Sequence, residues 1–167
     1  MLQGGTVVIL VTVGMHTEGF PRLVKEVDHI AAQFAEEVVV QIGYTPYQPR
    51  AARWFTFVTY EEMKALCKQA RVIVSHAGAG SILTALHCRK PLIVVPRRQE
   101  YGEVVDDHQL ELAETLSRAG ALLVAYETEE LGEKLEEAAH FTPRRANRGR
   151  LVEALRQMIL NVSDGQG

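Results

Sequence analysis

Residues 71–89, "RVIVSHAGAGSILTALHCR", decide the fold because they join a buried strand to a helix through a glycine turn. The run 71–74 is mostly apolar and β-branched, which is typical of a parallel strand covered on both faces. From residue 81 the apolar spacing predicts a helix. Gly78 and Gly80 lie between the two elements. The stretch therefore predicts a strand–turn–helix unit.

The same alternation of strand and helix extends along the chain. Six strands are predicted, at 6–13, 37–43, 54–58, 71–75, 91–96 and 121–126. A helix is predicted after each strand, at 20–34, 60–70, 81–89, 108–120, 128–139 and 144–160. Apolar strands that alternate with helices predict an α/β protein with an open parallel, Rossmann-like sheet and helices on both faces. We expect a single domain over 1–162 and a disordered tail at 163–167.

Composition and charge exclude several classes of protein. The chain has 167 residues, 47% of them hydrophobic, and a net charge of -3, which argues against general nucleic-acid binding. Cys67 and Cys88 fall in predicted helices without a short-spaced partner, so the sequence favours the reducing cytoplasm. The apolar run 6–13 is too short to span a bilayer and lacks the basic residues of a signal peptide. We expect no part of the chain to enter a membrane by itself.

Ligands of such sheets bind outside the carboxyl ends of the strands, where loops lead into helices. Here those loops are 14–19, 44–53, 76–80 and 97–107. A helix N-terminus offers unpaired N–H groups and positive dipole charge, and glycines before it allow a phosphate to approach. His76 and Ser81 can donate further hydrogen bonds to it. On spacing alone, an ordinary tight connection capped by Ser81 is an equally good interpretation.

Two familiar nucleotide motifs are missing. The first strand is followed by "GMHTEG" (14–19), which does not have the G-x-G-x-x-G spacing, and the second ends in "QIGY" (41–44) without an acid. The sequence also contains no G-x-x-x-x-G-K-[ST] phosphate loop. These observations argue against an NAD-dependent enzyme and against a P-loop ATPase.

Several short segments together resemble one known family. They occur in the family's order and spacing: "VTVG" (11–14), "QIGYTPYQP" (41–49), "FVTYEEM" (57–63), "VSHAGAGSI" (74–82), "KPLIVVP" (90–96) and "DHQLELAETL" (107–116). The resemblance covers roughly residues 6–125 and is to the C-terminal, donor-binding half of family 28 glycosyltransferases. It is strongest to the small, separately encoded subunits, which include the cytosolic subunit of the N-glycan N-acetylglucosaminyltransferase and similar bacterial exopolysaccharide subunits.

The resemblance implies half of a GT-B fold that binds a UDP-sugar at the carboxyl edge of the sheet. Phe57 and Val58 match the position where the family's backbone meets uracil. Gly14 matches the first glycine-rich loop, which faces the cleft. His108 and Gln109 match the pair that contacts the sugar hydroxyls.

The turn that holds the diphosphate in the family matches His76, Gly78, Gly80 and Ser81, which favours the phosphate interpretation of this turn. One departure is Thr84, which stands where many relatives carry a Glu that accepts hydrogen bonds from the ribose hydroxyls. Another is Met15, at a position where Ser or Thr is frequent.

Three further candidates have competing interpretations. Arg97 and Arg98 directly follow a strand, where a guanidinium could neutralise the diphosphate or an acidic sugar; a partner-binding or solvent loop is the alternative. His16 is a candidate catalytic group, and a solvated loop histidine is its alternative. The acids in the loop 97–107 have a spacing that fits no metal-ligand set, so we predict neither a metal nor another cofactor.

These features predict the donor-binding catalytic subunit of a two-component glycosyltransferase. A membrane-anchored partner subunit would supply the site for a lipid-linked sugar acceptor. Together the two subunits would act in polysaccharide or glycan biosynthesis. The partner would also recruit this chain to the cytoplasmic face of the membrane. Phe20, Tyr101 and Val104 are expected as apolar docking contacts. The alternatives are a non-catalytic nucleotide-sugar-binding or regulatory module and a nucleotide-dependent oxidoreductase.

Overall fold

A computed structural model describes residues 9–144, 153–157 and 160. Over these residues the predicted alternation of strands and helices is confirmed. The strands are β1 (Ile9–Thr12), β2 (Val38–Gln41), β3 (Arg53–Phe55), β4 (Val72–His76), β5 (Leu92–Val95) and β6 (Leu123–Val124). The helices are α1 (Pro21–Ala31), α2 (Tyr60–Gln69), α3 (Ala79–His87), α4 (His108–Arg118) and α5 (Leu131–Ala138).

The strands form one parallel sheet in the order β3-β2-β1-β4-β5-β6. The chain first adds strands on one side of β1 and then continues on the other side with β4. Such a reversal opens a crevice at the carboxyl edge, between the loops that follow β1 and β4. Thr12 pairs with both Gln41 and Ser75, so the carboxyl ends of β2, β1 and β4 lie side by side at this edge.

Helices cover both faces of the sheet, as the continuously apolar strands predict. On one face Val11 and Val74 pack with residues of α1 and α5. On the other face Leu10 and Ile73 pack with residues of α2, α3 and α4. Because neighbouring side chains of a strand point to opposite faces, both sides of β1, β2 and β5 are buried, whereas the edge strand β3 is only partly buried.

Some boundaries differ from those expected. Helix α3 begins at Ala79, two positions before the predicted start, and the predicted helix 128–139 begins as a short 3-10 turn, Thr128–Glu130, before α5. Another 3-10 turn, Gln99–Tyr101, interrupts the predicted loop 97–107. Of the predicted last helix, residues 153–157 and 160 are helical. Its other residues, apart from 144, and the predicted tail 163–167 lie outside the described residues.

One buried carboxylate fastens the loop after β2 to α1. Asp28 accepts the hydroxyl of Tyr47 at 2.6 Å, and its oxygens accept the backbone N–H groups of residues 50, 51 and 52 at 2.7–3.2 Å. Burial alone would raise the pKa of the Asp28 carboxyl, but these hydrogen bonds outweigh it and hold the pKa below its usual range. The carboxylate therefore fixes the loop that precedes β3.

Among the described residues, no helix combines the length and the apolar character needed to cross a membrane.

Candidate functional site

The glycine turn after β4 leads directly into α3 at the carboxyl edge of the sheet. Gly78 is the residue that caps α3, and it provides no side-chain hydrogen bond to the first helical N–H groups. Ser81 is the third residue of the helix rather than its cap. The first amides of α3 are therefore available to a ligand, and an anion there would also meet the positive end of the helix dipole.

His76 is held in a slot between two glycines. A Cβ atom placed on Gly14 would lie 2.5 Å from His76 Cε1, and one placed on Gly78 would lie 2.3 Å from His76 Nε2. Both distances are too short for any side chain, so the imidazole packs directly on the two backbones. Gly14 also has a φ of +75°, which a glycine adopts without strain. The two loops at the crevice thus meet through this ring.

The imidazole of His76 is neutral at neutral pH. Burial, followed by the nearby positive charge of Arg97, lowers the pKa of His76 to about 4. Within the described part of the chain, its Nδ1 atom is buried and has no hydrogen-bond partner. A neutral ring can present an N–H donor to a ligand oxygen without carrying a charge of its own.

Gln41 ties together the ends of the central strands. Its Oε1 atom accepts the Thr12 hydroxyl at 2.8 Å and the backbone N–H groups of Val13 and Gly14 at 3.1 Å each. Its Nε2 atom donates to the carbonyl oxygens of Gly14 at 3.0 Å and Thr56 at 3.1 Å. Sequence reasoning assigned this side chain no role. The feature of the sequence that could have identified it is a polar residue at the carboxyl end of the otherwise apolar β2.

A cleft of about 300 Å³ lies over these strand ends, between α3, α2 and the loops after β1 and β3. Its lining includes six of the residues chosen from the sequence, namely Gly14, Phe57, Val58, Gly80, Ser81 and Thr84. The rest of the lining consists of Thr12, Met15, Gln41, Thr59, Tyr60, Met63, Cys67, Ile73 and Ala85. Tyr44 stands edge-on to Phe57, with ring centroids 5.0 Å apart, at the outer end.

Arg97 lies behind the loop after β1 and does not line the cleft. Its side chain is only 1% exposed. The guanidinium donates to the carbonyl oxygens of Gly19 and, at 3.1 Å, Val13, and it lies 4.4 Å from the ring centroid of Phe20. In this geometry Arg97 positions the loop beside the cleft instead of reaching a ligand, which corrects the expected direct contact.

His108 and Gln109 begin α4, and neither is among the residues that line the cleft. The His108 ring is 58% exposed, with Nε2 3.7 Å from an oxygen of Asp106 and Nδ1 3.5 Å from an oxygen of Glu111. The Oε1 atom of Gln109 is buried and has no partner among the described residues. Contact of this pair with a sugar remains a prediction.

His16 is exposed on the loop after β1, where its Nδ1 atom accepts the backbone N–H of Glu18 at 3.4 Å. The structure brings it into no hydrogen bond with another described titratable side chain. Nothing in this arrangement activates the ring as a base, so a catalytic role for His16 stays a prediction.

The acids of the loop 97–107 serve to hold that loop in place. Glu103 accepts both a bidentate pair of hydrogen bonds from Arg22, at 2.8 and 3.0 Å, and the backbone N–H of Arg98. The guanidinium of Arg98 pairs with Glu100 and with Glu127. In the ranges 9–144 and 153–157, no group of three or more His, Cys, Asp and Glu side chains is arranged to hold a metal ion.

The expected docking contacts fall into two classes. Phe20 is fully buried, at 0% exposure, under Arg97, so the expectation that it docks a partner is wrong. Tyr101 is 49% exposed and Val104 is partly exposed. The Tyr101 hydroxyl donates to Glu127 at 2.8 Å, which orients its ring beside the guanidinium of Arg22.

Comparison with known proteins agrees with the resemblance seen in the sequence. The chain is 39% identical over 87 residues to the UDP-N-acetylglucosamine transferase subunit ALG13 of Cryptococcus neoformans var. neoformans serotype D (strain JEC21), a match covering 51% of this chain and 41% of that protein. The chain thus spans less than half the length of this curated relative.

Two solved structures show the same fold. The crystal structure of the glycotransferase of kitacinnamycin superposes with a TM-score of 0.61 at 20% identity, covering 93% of this chain and 40% of that one. The NMR structure of ALG13 superposes with a TM-score of 0.57 at 19% identity, covering 83% of this chain and 89% of that one. Likeness at this level of identity concerns the fold alone.

A family model described as the glycosyltransferase family 28 C-terminal domain matches residues 8–159. The match includes the six strands, the glycine turn and the whole lining of the cleft. The chain therefore belongs to the family of glycosyltransferase family 28 C-terminal domains.

Proposed function

We propose that this chain is the donor-binding catalytic subunit of a two-component glycosyltransferase that uses a UDP-sugar. The observation that carries the proposal is the cleft, which runs from an aromatic end at Phe57 to the uncapped start of α3 at Gly80 and Ser81. A nucleoside diphosphate has matching ends, one a flat base and the other an anion. The names of the relatives, which are UDP-N-acetylglucosamine transferase subunits, support this donor class.

In this proposal the uracil lies against Phe57 and Val58, and the diphosphate lies over the first turn of α3. The amides of that turn and the Ser81 hydroxyl donate to the phosphate oxygens. His76 does not line the cleft, so in this proposal its ring holds the loops after β1 and β4 together instead of contacting the diphosphate. Negative charge grows on the diphosphate as the glycosidic bond breaks. Fixed donors and the helix dipole stabilise that charge without having to reorganise.

The acceptor hydroxyl must lose its proton during the transfer, which requires a general base. None of the lining residues of the described cleft is a carboxylate or a histidine. We therefore assign the base either to the exposed His16 or to a second polypeptide that supplies the acceptor site. That partner is membrane-anchored in our proposal, presents a lipid-linked sugar, and brings this chain to the cytoplasmic membrane face.

Replacement of Ser81 by alanine tests the phosphate end of the cleft. Because the variant loses one hydrogen bond to a charged group, we expect UDP to bind more weakly by about 1–2 kcal/mol in isothermal titration calorimetry. Ser117 lies on α4, away from the cleft lining. Ser117→Ala is the matched control and should bind UDP like the wild type. Unchanged affinity of Ser81→Ala would remove Ser81 from the phosphate site.

Replacement of Tyr101 by aspartate tests the partner surface. Tyr101 projects from the loop 97–107, and it is not part of the cleft lining. An added charge should oppose docking, so we expect transfer in the presence of the partner to fall about tenfold or more. The affinity for UDP, measured by calorimetry, should not change. Transfer at the wild-type rate would exclude this surface.

The alternatives predict different results in the same assays. A binding or regulatory module would bind UDP but never transfer sugar, even with candidate partners present. A nucleotide-dependent oxidoreductase would be stabilised against heat by NAD and not by UDP. Transfer of a sugar from UDP to a lipid-linked acceptor, only after the partner is added, would support the proposal against both.

A further inference from the structure

The cleft contains no anionic group beside the place where a ribose would lie. Between the aromatic end at Phe57 and the phosphate end at Ser81, the wall of α3 is formed by Thr84 and Ala85. Among the described residues that line the cleft, none carries a charged side chain. The Thr84 hydroxyl donates to the carbonyl oxygen of Gly80 at 3.0 Å, so its proton is already engaged within the helix.

Most of the other polar side chains nearby are also engaged. The Oε1 atom of Gln41 accepts three hydrogen bonds from the strand ends, and its Nε2 atom donates two. Thr12 gives its hydroxyl proton to Gln41. Ser81 lies one helical turn before Thr84, at the end of α3 that the diphosphate would occupy. The Tyr60 hydroxyl also lines the cleft and has no hydrogen-bond partner among the described residues, but Tyr60 is 63% exposed, so water can satisfy it. Among the described residues of the lining, no buried side chain is therefore dedicated to the ribose hydroxyls.

We infer that the cleft does not discriminate between ribose and 2′-deoxyribose, and that Thr84 is the residue that sets this tolerance. The inference rests on the proposed function and specifies the class of donor nucleotide. A protein rejects an analogue that lacks a hydroxyl mainly when a buried group built to bond that hydroxyl is left unpaired. Here the 2′-hydroxyl meets no such group, so its removal leaves nothing unsatisfied.

The wild-type chain is tested by titration calorimetry with UDP and with 2′-deoxyuridine diphosphate, which differ only in the 2′-hydroxyl. We expect the two dissociation constants to agree within about threefold, since a site with a dedicated partner discriminates by several orders of magnitude. A preference for UDP of tenfold or more would overturn the inference while leaving the proposed function intact. Binding of neither nucleotide would overturn both.

Thr84→Glu tests whether this position sets the tolerance. The glutamate carboxylate is longer than the threonine side chain and can accept hydrogen bonds from the ribose hydroxyls, and such charge-assisted bonds are strong. UDP should then be preferred over its 2′-deoxy form by about tenfold. The ratio isolates the hydroxyl, because any repulsion between the new charge and the diphosphate affects both nucleotides equally.

Thr115→Glu is the matched control. Thr115 lies on α4 and donates its hydroxyl to the Glu111 carbonyl at 2.9 Å, the same local bond that Thr84 makes, but it does not line the cleft. This variant should keep the wild-type ratio of the two affinities. A wild-type ratio in Thr84→Glu, or a raised ratio in Thr115→Glu, would contradict the assignment of Thr84.

Discussion

UDP should fail to bind detectably to a Gly80→Val variant that remains folded. Gly80 lines the cleft at the start of α3, and a Cβ atom placed there would have no other heavy atom within 4 Å. The protein therefore has room for a Cβ atom here, and we expect the valine side chain to project into the space that a phosphate would need. We expect the affinity for UDP to fall about 100-fold or more in calorimetry, because close approach to the first amides of α3 is lost.

The control for this prediction is Gly132→Val. Gly132 also lies in a helix, α5, and a Cβ atom placed on it has open space around it as well. It is remote from the cleft lining, so this variant should bind UDP like the wild type. Near-wild-type melting temperatures of both variants would show that the lost binding is local. Tight binding of UDP by folded Gly80→Val would place the diphosphate elsewhere.

Gly78, only two residues earlier, should respond differently to substitution. A Cβ atom at Gly78 would collide with the His76 ring at 2.3 Å, so a side chain there displaces the imidazole. The two glycines of the turn thus differ in their surroundings: Gly78 makes room for the His76 ring, whereas the space around Gly80 is open, and in our proposal the diphosphate occupies it. The sequence showed both glycines but gave no means to tell these reasons apart.

The parallel sheet and its helices were predictable because they depend on local patterns. Apolar β-branched runs such as 72–74 indicate buried strands. Strands that alternate with helices predict a parallel sheet with helices on both faces. The position of the crevice followed from that architecture, since ligand loops gather at the carboxyl edge. Among the residues that line the cleft, Gly80 and Ser81 were candidates from the strand–turn–helix pattern itself, whereas Phe57, Val58 and Thr84 came from the family resemblance.

Contacts between distant segments were not predictable. Arg97 follows a strand as a phosphate-binding arginine would, yet its guanidinium turns inward to carbonyl oxygens of the loop after β1. Phe20 was expected to be an exposed docking contact, but it is buried beneath that same arginine. Which way a side chain turns at the end of a strand depends on loops far away in the sequence, and no spacing rule contains that information.

The Asp28→Ala variant should be destabilised by about 3–4 kcal/mol, which corresponds to a fall in melting temperature of about 10 °C. The lost carboxylate satisfies three backbone N–H groups and the Tyr47 hydroxyl in a buried position, and alanine leaves them without an acceptor. Each unsatisfied buried donor costs about 1–3 kcal/mol, which water entering the space partly offsets. Denaturation by urea, followed by circular dichroism, measures the loss.

The control for Asp28→Ala is Glu26→Ala, which also removes a carboxylate from α1. Among the described residues, Glu26 makes no side-chain hydrogen bond or ion pair that fixes a loop. Its free energy of unfolding should stay within about 0.5 kcal/mol of the wild type, as for ordinary surface substitutions. Tyr47→Phe removes only one of the bonds to Asp28 and should be destabilised less than Asp28→Ala. Equal stability of Asp28→Ala and Glu26→Ala would contradict the anchoring role of Asp28.

Acid should remove the contribution of Asp28, because its pKa is lower in the folded chain than in the unfolded chain. The stabilisation is fully present above the unfolded pKa of about 3.9 and is lost as the pH falls through the folded value. His76, whose pKa is lowered from 6.5 to about 4, makes the folded chain progressively less stable as the pH falls between those values, and this loss persists at lower pH. Both the wild type and Asp28→Asn contain His76, so its effect cancels in their difference. The difference in free energy of unfolding between the wild type and Asp28→Asn should be constant from pH 7 to pH 5 and shrink below pH 4. A difference that persists unchanged to pH 2 would mean that charge on Asp28 does not hold the loop.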